Sequence, residues 1–245
     1  MHEHDVWTTK LFNAYLASPL NSLLNAIGHP AKDPSHPWEN WITMEILVVL
    51  LIIVVFAILK SSLSVDRPGK LQHIFETLYS FFQGQASEAI DHGSSKFVTF
   101  GGTLFIFVLF MNLIGVIPGF ESPTMNPAVP AGLAVSVFLY YNYMGMREHG
   151  VGKYMAHFAG PMPVLAPLMV PIELISHLAR PLSLTIRLFA NMFAGEQVTM
   201  AFLGLTYLVL PAVFMGLHVF VAFLQAFIFM LLTMLYVGSA VAHEH

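Results

Sequence analysis

The stretch from Pro171 to Glu196 constrains this chain most, because it places charged side chains within an apolar, helix-like sequence. It reads PIELISHLARPLSLTIRLFANMFAGE and contains two arginines, two glutamates, a histidine and an asparagine. A charge inside a membrane helix is costly and by default indicates a functional site. Five polar residues recur at steps of four, three, seven and four, which keeps them on one helix face: Glu173, His177, Arg180, Arg187 and Asn191. Glu196 falls about half a turn away from this stripe and roughly 13 Å beyond Arg187, so a simple ion pair between Arg187 and Glu196 is not expected.

The composition indicates an integral membrane protein. Hydrophobic residues make up 56% of the 245 residues and charged residues only 10%, against about 25% charged residues in a soluble domain. The sequence has no basic face for nucleic acid, and the absence of cysteine excludes disulfides and thiolate metal sites. We expect a single all-α, polytopic membrane domain over residues 1–245, without a cleavable signal peptide.

Apolar runs predict about five membrane helices. Their ranges are 42–59, 97–117, 131–146, 171–203 and 211–242. The last two would be about 50 Å and about 48 Å long, which exceeds the ~30 Å hydrocarbon core. We therefore expect both to tilt strongly or to extend beyond the bilayer. Because only a short turn separates them, they should form a hairpin.

Two further segments flank the first span. Residues 1–41 are polar to mixed and form an outer N-terminal segment that ends in two tryptophans, Trp38 and Trp41, typical of an interface anchor. Residues 70–90 predict an amphipathic helix on the membrane surface. Its apolar residues recur at three- or four-residue steps: Leu71, Phe75, Leu78 and Phe82.

The distribution of lysine and arginine predicts the orientation. With five spans, six of these residues lie in segments on one side of the membrane and two on the other. Because the cytoplasmic side carries the excess of positive charge, we expect the N-terminus outside and the C-terminus in the cytoplasm.

Arg187 is a poor proton carrier, because an arginine side chain keeps its proton at any working pH. It is a good fixed positive charge, able to attract a carboxylate that arrives from another subunit. The alternatives are that Arg187 pairs with Glu173 or extends to the membrane interface.

Several other polar residues have a functional and a structural interpretation. Glu196 and His218 can bind and release protons, although His218 can also be a buried histidine bonded to a carbonyl. Gln225 lies seven residues after His218, on the same face of the last helix. Asn191 and Gln225 can hold water or orient a neighbour, and amides also join helices in membranes.

The remaining candidates lie nearer the membrane surfaces. Glu173 and His177 can line a second polar path on the cytoplasmic side, or they can neutralise Arg180. Glu45 and Asn112 lie near the outer ends of their spans, where a simple interfacial location is favoured over lining of an outer path. The terminal histidines are interpreted as solvated and not as metal ligands: His2, His4, His243 and His245.

The motif RPLSLTIRLFANMFAGE, from Arg180 to Glu196, resembles the signature of the membrane-embedded a subunits of F-type ATP synthases. The run LQAFIFMLLTMLY, from Leu224 to Tyr236, supports the same resemblance. Two weaker matches fall in the expected order, MNLIGVIPG at 111–119 and SPTMN at 122–126. The resemblance covers about Lys70 to the C-terminus.

The resemblance implies a proton-translocating stator subunit that is not an enzyme by itself. Arg187 matches the family's essential arginine, which faces the carboxylates of a rotating c-ring. Four residues match positions of the outer proton path: Glu196, His218, Asn191 and Gln225. Glu173 and His177 match the region of the cytoplasmic exit. Gly115 is a departure, since some relatives carry an acid there, and it weakens the expectation of an equally acidic outer path.

The implied partners are the c-ring, the b-subunit peripheral stalk and membrane lipid, in a bacterial plasma membrane. The transported ion is expected to be H⁺, and no cofactor is expected. Two other functional classes remain open at this point. An electron carrier would use His177 and His218 as axial haem ligands on facing helices. An autonomous proton-coupled transporter would often show internal repeats, and the sequence has none.

Overall fold

The computed structural model describes residues 5–28, 30–31, 33–65, 68–90, 93–117, 119–157, 166–203 and 209–242. Within these ranges the chain is all-α, as predicted, with eight α-helices, one 3₁₀ turn and no strand. The helices are α1 Trp7–Ile27, α2 Asn40–Ser61, α3 Lys70–Ala89, α4 Ser95–Ile114, α5 Ala128–His149, α6 Val151–His157, α7 Ala166–Leu203 and α8 Val209–Val241, and the 3₁₀ turn is Pro123–Met125. The terminal histidines singled out in the sequence lie outside the described residues.

Three described helices are long and apolar enough to cross a membrane, judged by length and composition. They are α2, α4 and the part of α8 from Ala212 to Val241. This result agrees with the predicted polytopic membrane fold. The spans predicted at 131–146 and 171–203 fall within α5 and α7. That these two helices also cross the membrane remains a prediction.

The core lies where α4 packs against α8, with α3, α5 and α7 around them. Two adjacent glycines of α4 allow this close packing. A side chain at Gly101 would run into Met234 of α8, and one at Gly102 would lie 3.1 Å from the Phe82 ring of α3. Small residues at such crossings let membrane helices approach closely, because van der Waals packing drives their association.

Helices α7 and α8 pack along each other and against α5, as expected of the predicted hairpin. The buried side of α7 consists of Leu184, Leu188 and Met192. Helix α7 begins at Ala166 and continues through Pro171 and Pro181. The predicted range began at Pro171, and the helix begins five residues earlier.

Helix α3 confirms the predicted helix at 70–90 and packs more closely than a helix lying freely on a surface. Phe82 and Ala86 are buried in the core. At its end, the Ala89 carbonyl lies directly against Gly238 of α8, where a side chain would not fit. One face of α3 is therefore part of the helical bundle, and its location at the membrane interface remains a prediction.

Helix α1 was not predicted, because residues 1–41 show little apolar periodicity and α1 contains Pro19. Polar contacts attach it to the start of α2. The Thr9 and Thr43 hydroxyls lie 2.7 Å apart, and the Trp38 indole donates to the Leu16 carbonyl at 3.1 Å. Trp38 therefore anchors α1 in addition to the predicted role at the interface.

From their polar character, residues 147–160 are expected to form a loop. Helix α5 instead continues to His149 and is followed by the short helix α6. Gly150, with φ of 78°, separates the two helices. This left-handed conformation suits glycine, because other residues meet a steric penalty there.

Candidate functional site

The polar stripe of α7 lies along the border between its packed side and its open side. His177 is buried, Glu173, Arg180 and Arg187 are partly buried, and Asn191 is exposed. These polar residues therefore share one face of the helix, as their spacing predicts. That face lies next to the buried apolar side of α7 and is not itself the buried side.

Arg187 makes no hydrogen bond and no ion pair with any described residue. The alternative in which Arg187 pairs with Glu173 is thus not realised within the described part of the chain. The α7 residues beside Arg187 on the open side are small and exposed: Ser183, Ala190 and Ala194. A half-buried cation on a small-residue surface leaves room for another helix that carries a carboxylate.

Asn191 connects α7 to α8 one turn beyond Arg187. Its Nδ2 donates to Oε1 of Gln225 at 2.8 Å. Gln225 is only 2% exposed, and its Nε2 has no hydrogen-bond partner among the described residues. A buried donor of this kind costs free energy unless a water or a partner group receives it.

His218 of α8 approaches the backbone of α7 at Gly195. A Cβ atom at Gly195 would lie 2.9 Å from His218 Nδ1, so glycine is what allows the ring to lie there. The other ring nitrogen, Nε2, is buried and has no partner within the described ranges. The Nε2 atom of His218 is therefore not bonded to a carbonyl group of any described residue. Glu196, the next residue after Gly195, is partly buried.

Asn112 corrects a sequence-based interpretation. An interfacial location was favoured for it, but its side chain is completely buried at the end of α4. Its Oδ1 accepts a hydrogen bond from Thr124 at 2.8 Å. The 3₁₀ turn that contains Thr124 folds back over the end of α4, which sequence spacing does not predict. Glu45 is partly buried on α2, and its location at the membrane interface stays a prediction.

His177 belongs to a polar cluster between α5, α6 and α7. Asn142 Nδ2 donates to the Phe138 carbonyl, so its Oδ1 faces His177 Nε2 at 2.9 Å. Because an amide oxygen only accepts, Nε2 carries the proton and donates. The same Oδ1 accepts from the Tyr154 hydroxyl at 2.9 Å. Burial raises the pKa of the Tyr154 phenol, so this donor stays protonated to a higher pH than an exposed tyrosine does.

Arg180 is held by aromatic rings and a hydroxyl. Its guanidinium carbon lies 5.2 Å from the Tyr236 ring centre and 5.9 Å from that of Tyr141, within cation–π range. Its Nη1 donates to Ser239 at 3.3 Å. No ion pair between Arg180 and Glu173 occurs in the described part of the chain. That Glu173 and His177 neutralise Arg180 or line a polar path therefore stays a prediction.

The aromatic partners of this cluster were not identified from the sequence. None of Tyr141, Tyr154 and Tyr236 was given a role from the sequence. These side chains come from three helices whose relative rotation no single-helix pattern reveals. The available signal was their aromatic type near a buried arginine.

The geometry excludes the electron-carrier alternative. His218 lies against Gly195, which follows His177 by 18 residues on the same helix, a separation of about 27 Å along the axis. Two side chains so far apart cannot both ligate one haem iron. The two histidines instead belong to two separate polar groups, one on each side of Arg187.

Arg187 thus lies between two sets of polar side chains along α7. His177 precedes it by about 15 Å, and Glu196 follows it by about 13 Å. The group with Asn191, Gln225, His218 and Glu196 is on one side, and the His177–Asn142 cluster is on the other. This arrangement can hold protonatable and water-binding groups at two depths, with a permanent cation between them.

Comparison with known proteins gives consistent similarities. The family described as ATP synthase A chain matches residues 42–238. A protein named ATP synthase subunit a from Solibacter usitatus is 63% identical over 235 residues, covering 96% of this chain and 100% of the relative. Proteins of the same name from Koribacter versatilis and from a Sulfurihydrogenibium species are 47% and 38% identical. The first covers 99% of both chains, and the second 84% of this chain and 100% of the relative.

Proposed function

The chain belongs to the ATP synthase A chain family, whose members are subunits of the membrane sector of a bacterial proton-translocating ATP synthase, and on this premise we propose that it is the stator that guides protons to and from a rotating c-ring. Two half-paths, one open to each side of the membrane, end at different carboxylates of the ring. Arg187 separates them. The chain catalyses no bond-forming reaction by itself.

The observation that carries this proposal is the position of Arg187. It is partly buried, it has no ion-pair partner among the described residues, and it lies between two polar groups of α7. A buried cation without an internal partner is costly. A carboxylate from another chain compensates this cost by pairing with it as it passes.

The outer half-path is formed by Asn191, Gln225, His218 and Glu196. The buried Gln225 Nε2 and His218 Nε2 atoms, which lack partners in the described ranges, are suited to hold water. Water between these groups connects Glu196, which can bind and release a proton, with the surroundings of Arg187. The cytoplasmic half-path starts at Glu173 and His177.

Proton binding allows the ring to turn. A protonated carboxyl can face lipid, whereas burying an ionised carboxylate costs far more free energy. A carboxyl that receives a proton in the outer half-path leaves Arg187, turns through lipid and releases its proton in the cytoplasmic half-path. The membrane potential supplies about 2.3 kcal/mol per charge per 100 mV. Arg187 favours the ionised carboxylate and repels a proton that would cross directly.

The exposed small residues Ser183, Ala190 and Ala194 form the surface on which the outer helix of the c-ring packs. The b-subunit peripheral stalk and lipid cover other sides of the bundle. The N-terminus lies outside and the C-terminus in the cytoplasm. The cargo is H⁺, because Glu196 and His218 bind protons and the outer group offers few of the oxygen ligands that a metal cation prefers.

The decisive experiment is ATP-driven acidification of inverted vesicles that contain the whole complex. We expect Arg187→Ala and Arg187→Lys to abolish coupled pumping, and Arg187→Ala also to permit passive proton leak. Normal pumping by Arg187→Ala would contradict the proposal. An autonomous proton-coupled transporter would move protons in vesicles that contain this chain without the c-ring, so the same vesicles without the ring separate the two functions.

A further inference from the structure

The loop between α4 and α5 presents a carboxylate, Glu121, that the half-paths described above do not use. The loop is well anchored to the end of α4. The Ser122 hydroxyl donates to the Met111 carbonyl at 2.9 Å, and Thr124 donates to Asn112 at 2.8 Å. Glu121, directly before Ser122, therefore has a defined place in the fold.

The side chain of Glu121 is held from a second direction by α2. Asn40 Nδ2 donates to Glu121 Oε2 at 3.1 Å. Asn40 is itself fixed, because its Oδ1 accepts the Val6 backbone N–H at 3.2 Å. This bond orients the carboxylate and leaves it at the junction of α1, α2 and the loop.

On its other side the loop faces α7. The 3₁₀ turn that begins two residues after Glu121 packs against α7. Glu121 is close enough to Glu196 of α7 for the two carboxylates to repel each other. Two carboxylates in mutual reach resist being ionised together, and such a pair readily holds one proton between them.

Gly115, where the chain leaves α4, has no room for an acidic side chain. A Cβ atom at Gly115 would lie 2.8 Å from Ser122 Cβ and 3.0 Å from the Ser122 backbone nitrogen. A side chain there would push the loop away from α4. Glu121 is thus the carboxylate that this loop brings towards α7.

We propose that Glu121 is the outermost proton acceptor of the outer half-path and delivers protons to Glu196, an inference that rests on the proposed function. A proton from the outer water binds the Glu121 carboxylate. Glu121 then releases it, through water, to the ionised carboxylate of Glu196 and becomes ionised again. One proton enters and one leaves, and no electrons are exchanged.

The competing interpretation is that Glu121 only fastens the loop to Asn40. Glu121→Gln separates the two roles, because a glutamine oxygen still accepts the Asn40 hydrogen bond but cannot bind a proton. Glu121→Asp keeps the acid and shortens the side chain. Glu39→Gln is the matched control: Glu39 is an exposed acid beside Asn40 whose carboxylate accepts from the Trp41 indole at 2.6 Å.

The test is ATP-driven acidification of inverted vesicles that contain the whole complex, with the amount of assembled complex measured in each variant. We expect Glu121→Gln to slow pumping at least about tenfold at an unchanged amount of complex. Glu121→Asp should restore most of the rate, and Glu39→Gln should pump as the wild type does.

Pumping by Glu121→Gln within about twofold of wild type would overturn the inference. Equal slowing by Glu121→Gln and Glu121→Asp would also overturn it, since the acid itself would then not matter. Arg187→Ala in the same vesicles distinguishes a failure of the inference about Glu121 from a failure of the proposed function. If Arg187→Ala stops pumping while Glu121→Gln does not slow it, only this inference fails. If Arg187→Ala pumps normally, the proposed function fails as well.

Discussion

Asn191 Nδ2 and Gln225 Oε1 lie 2.8 Å apart and form a hydrogen bond between α7 and α8 one turn beyond Arg187. The bond fixes the rotation of α8 relative to α7 at the depth where the arginine side chain lies. It also fixes the orientation of the Gln225 amide, whose Nε2 then points to a place without a partner among the described residues. One contact therefore links helix packing to the polarity of the surroundings of Arg187.

The first prediction concerns this contact. Replacing Gln225 by Leu removes both the acceptor for Asn191 and the buried Nε2 donor. We expect the loss of this hydrogen bond to weaken the packing of α7 against α8 by only about 0.6 kcal/mol. The rate of proton pumping should fall more clearly than the stability, because the water-binding donor is also removed. A double-mutant cycle with Asn191→Ala should be non-additive, since either single change breaks the same bond.

Pumping and thermal stability of the complex are measured for both single variants and the double variant. Ser136→Ala is the control, because the Ser136 hydroxyl is exposed and bonds only the Gly132 carbonyl of its own helix. Strictly additive losses for Asn191→Ala and Gln225→Leu would show that the contact does not act as a unit.

The second prediction concerns the close approach of His218 to Gly195. Gly195→Ala places a methyl group 2.9 Å from Nδ1 of the ring, so the imidazole must move. We expect slower proton pumping, because His218 leaves its position against the backbone of α7 at Gly195. Gly216→Ala is the matched control, since a Cβ atom there meets no atom within 4 Å. It should pump normally and gain up to about 1 kcal/mol from helix propensity. Equal pumping by the two alanine variants would contradict this account.

Single-helix patterns predicted much of the fold and part of the candidate site. The uninterrupted apolar run of α2 and the period of α3 identified both helices, and spacing along α7 placed Arg187 beside Asn191. Contacts between helices were beyond these patterns. The partner of Asn112 lies in a turn that folds back, and the rings around Arg180 depend on how α5, α7 and α8 are rotated. Helix α1 escaped prediction because its contacts are made with other segments: the Thr9 and Thr43 hydroxyls bond each other, and the Phe12 ring packs against Trp38.

The third prediction concerns Tyr154, whose hydroxyl donates to Asn142. Tyr154→Phe should cost about 1 kcal/mol of stability at neutral pH. Burial raises the pKa of the phenol above its ordinary value of 10.0, although Arg180 opposes part of this rise. A raised pKa means that the folded state retains the proton more strongly. The contribution is therefore complete below the ordinary pKa and is lost as the pH rises through the folded-state pKa.

Thermal unfolding of the complex at about pH 8 and about pH 11 checks this sign. The stability difference between wild type and Tyr154→Phe should shrink at the higher pH. Tyr143→Phe, at an exposed tyrosine of α5, is the control and should change little at either pH. A difference that stays constant or grows with pH would refute the assignment of a buried neutral donor.

The last prediction concerns the contact between α3 and α8. The Ala89 carbonyl lies so close to Gly238 that a methyl group at position 238 would overlap it. Gly238→Ala must therefore push α3 away from α8, and such overpacking costs about 1–3 kcal/mol. Helix propensity opposes this by only up to about 1 kcal/mol, so the net effect is destabilising. The loss should appear as a lower melting temperature and as less subunit retained in the purified complex.

Gly84→Ala on α3 is the control, because a Cβ atom at Gly84 has no neighbour within 4 Å. It gains the same helix propensity without the overlap and should be neutral or stabilising. The two glycine-to-alanine changes lie in helices of the same interface and are expected to change the stability in opposite directions. Their comparison therefore separates the effect of the steric contact from that of helix propensity. If Gly238→Ala were as stable as Gly84→Ala, α3 would not be held against α8 at this point, and its attachment would depend on other contacts, such as that between the Phe81 and Phe227 rings.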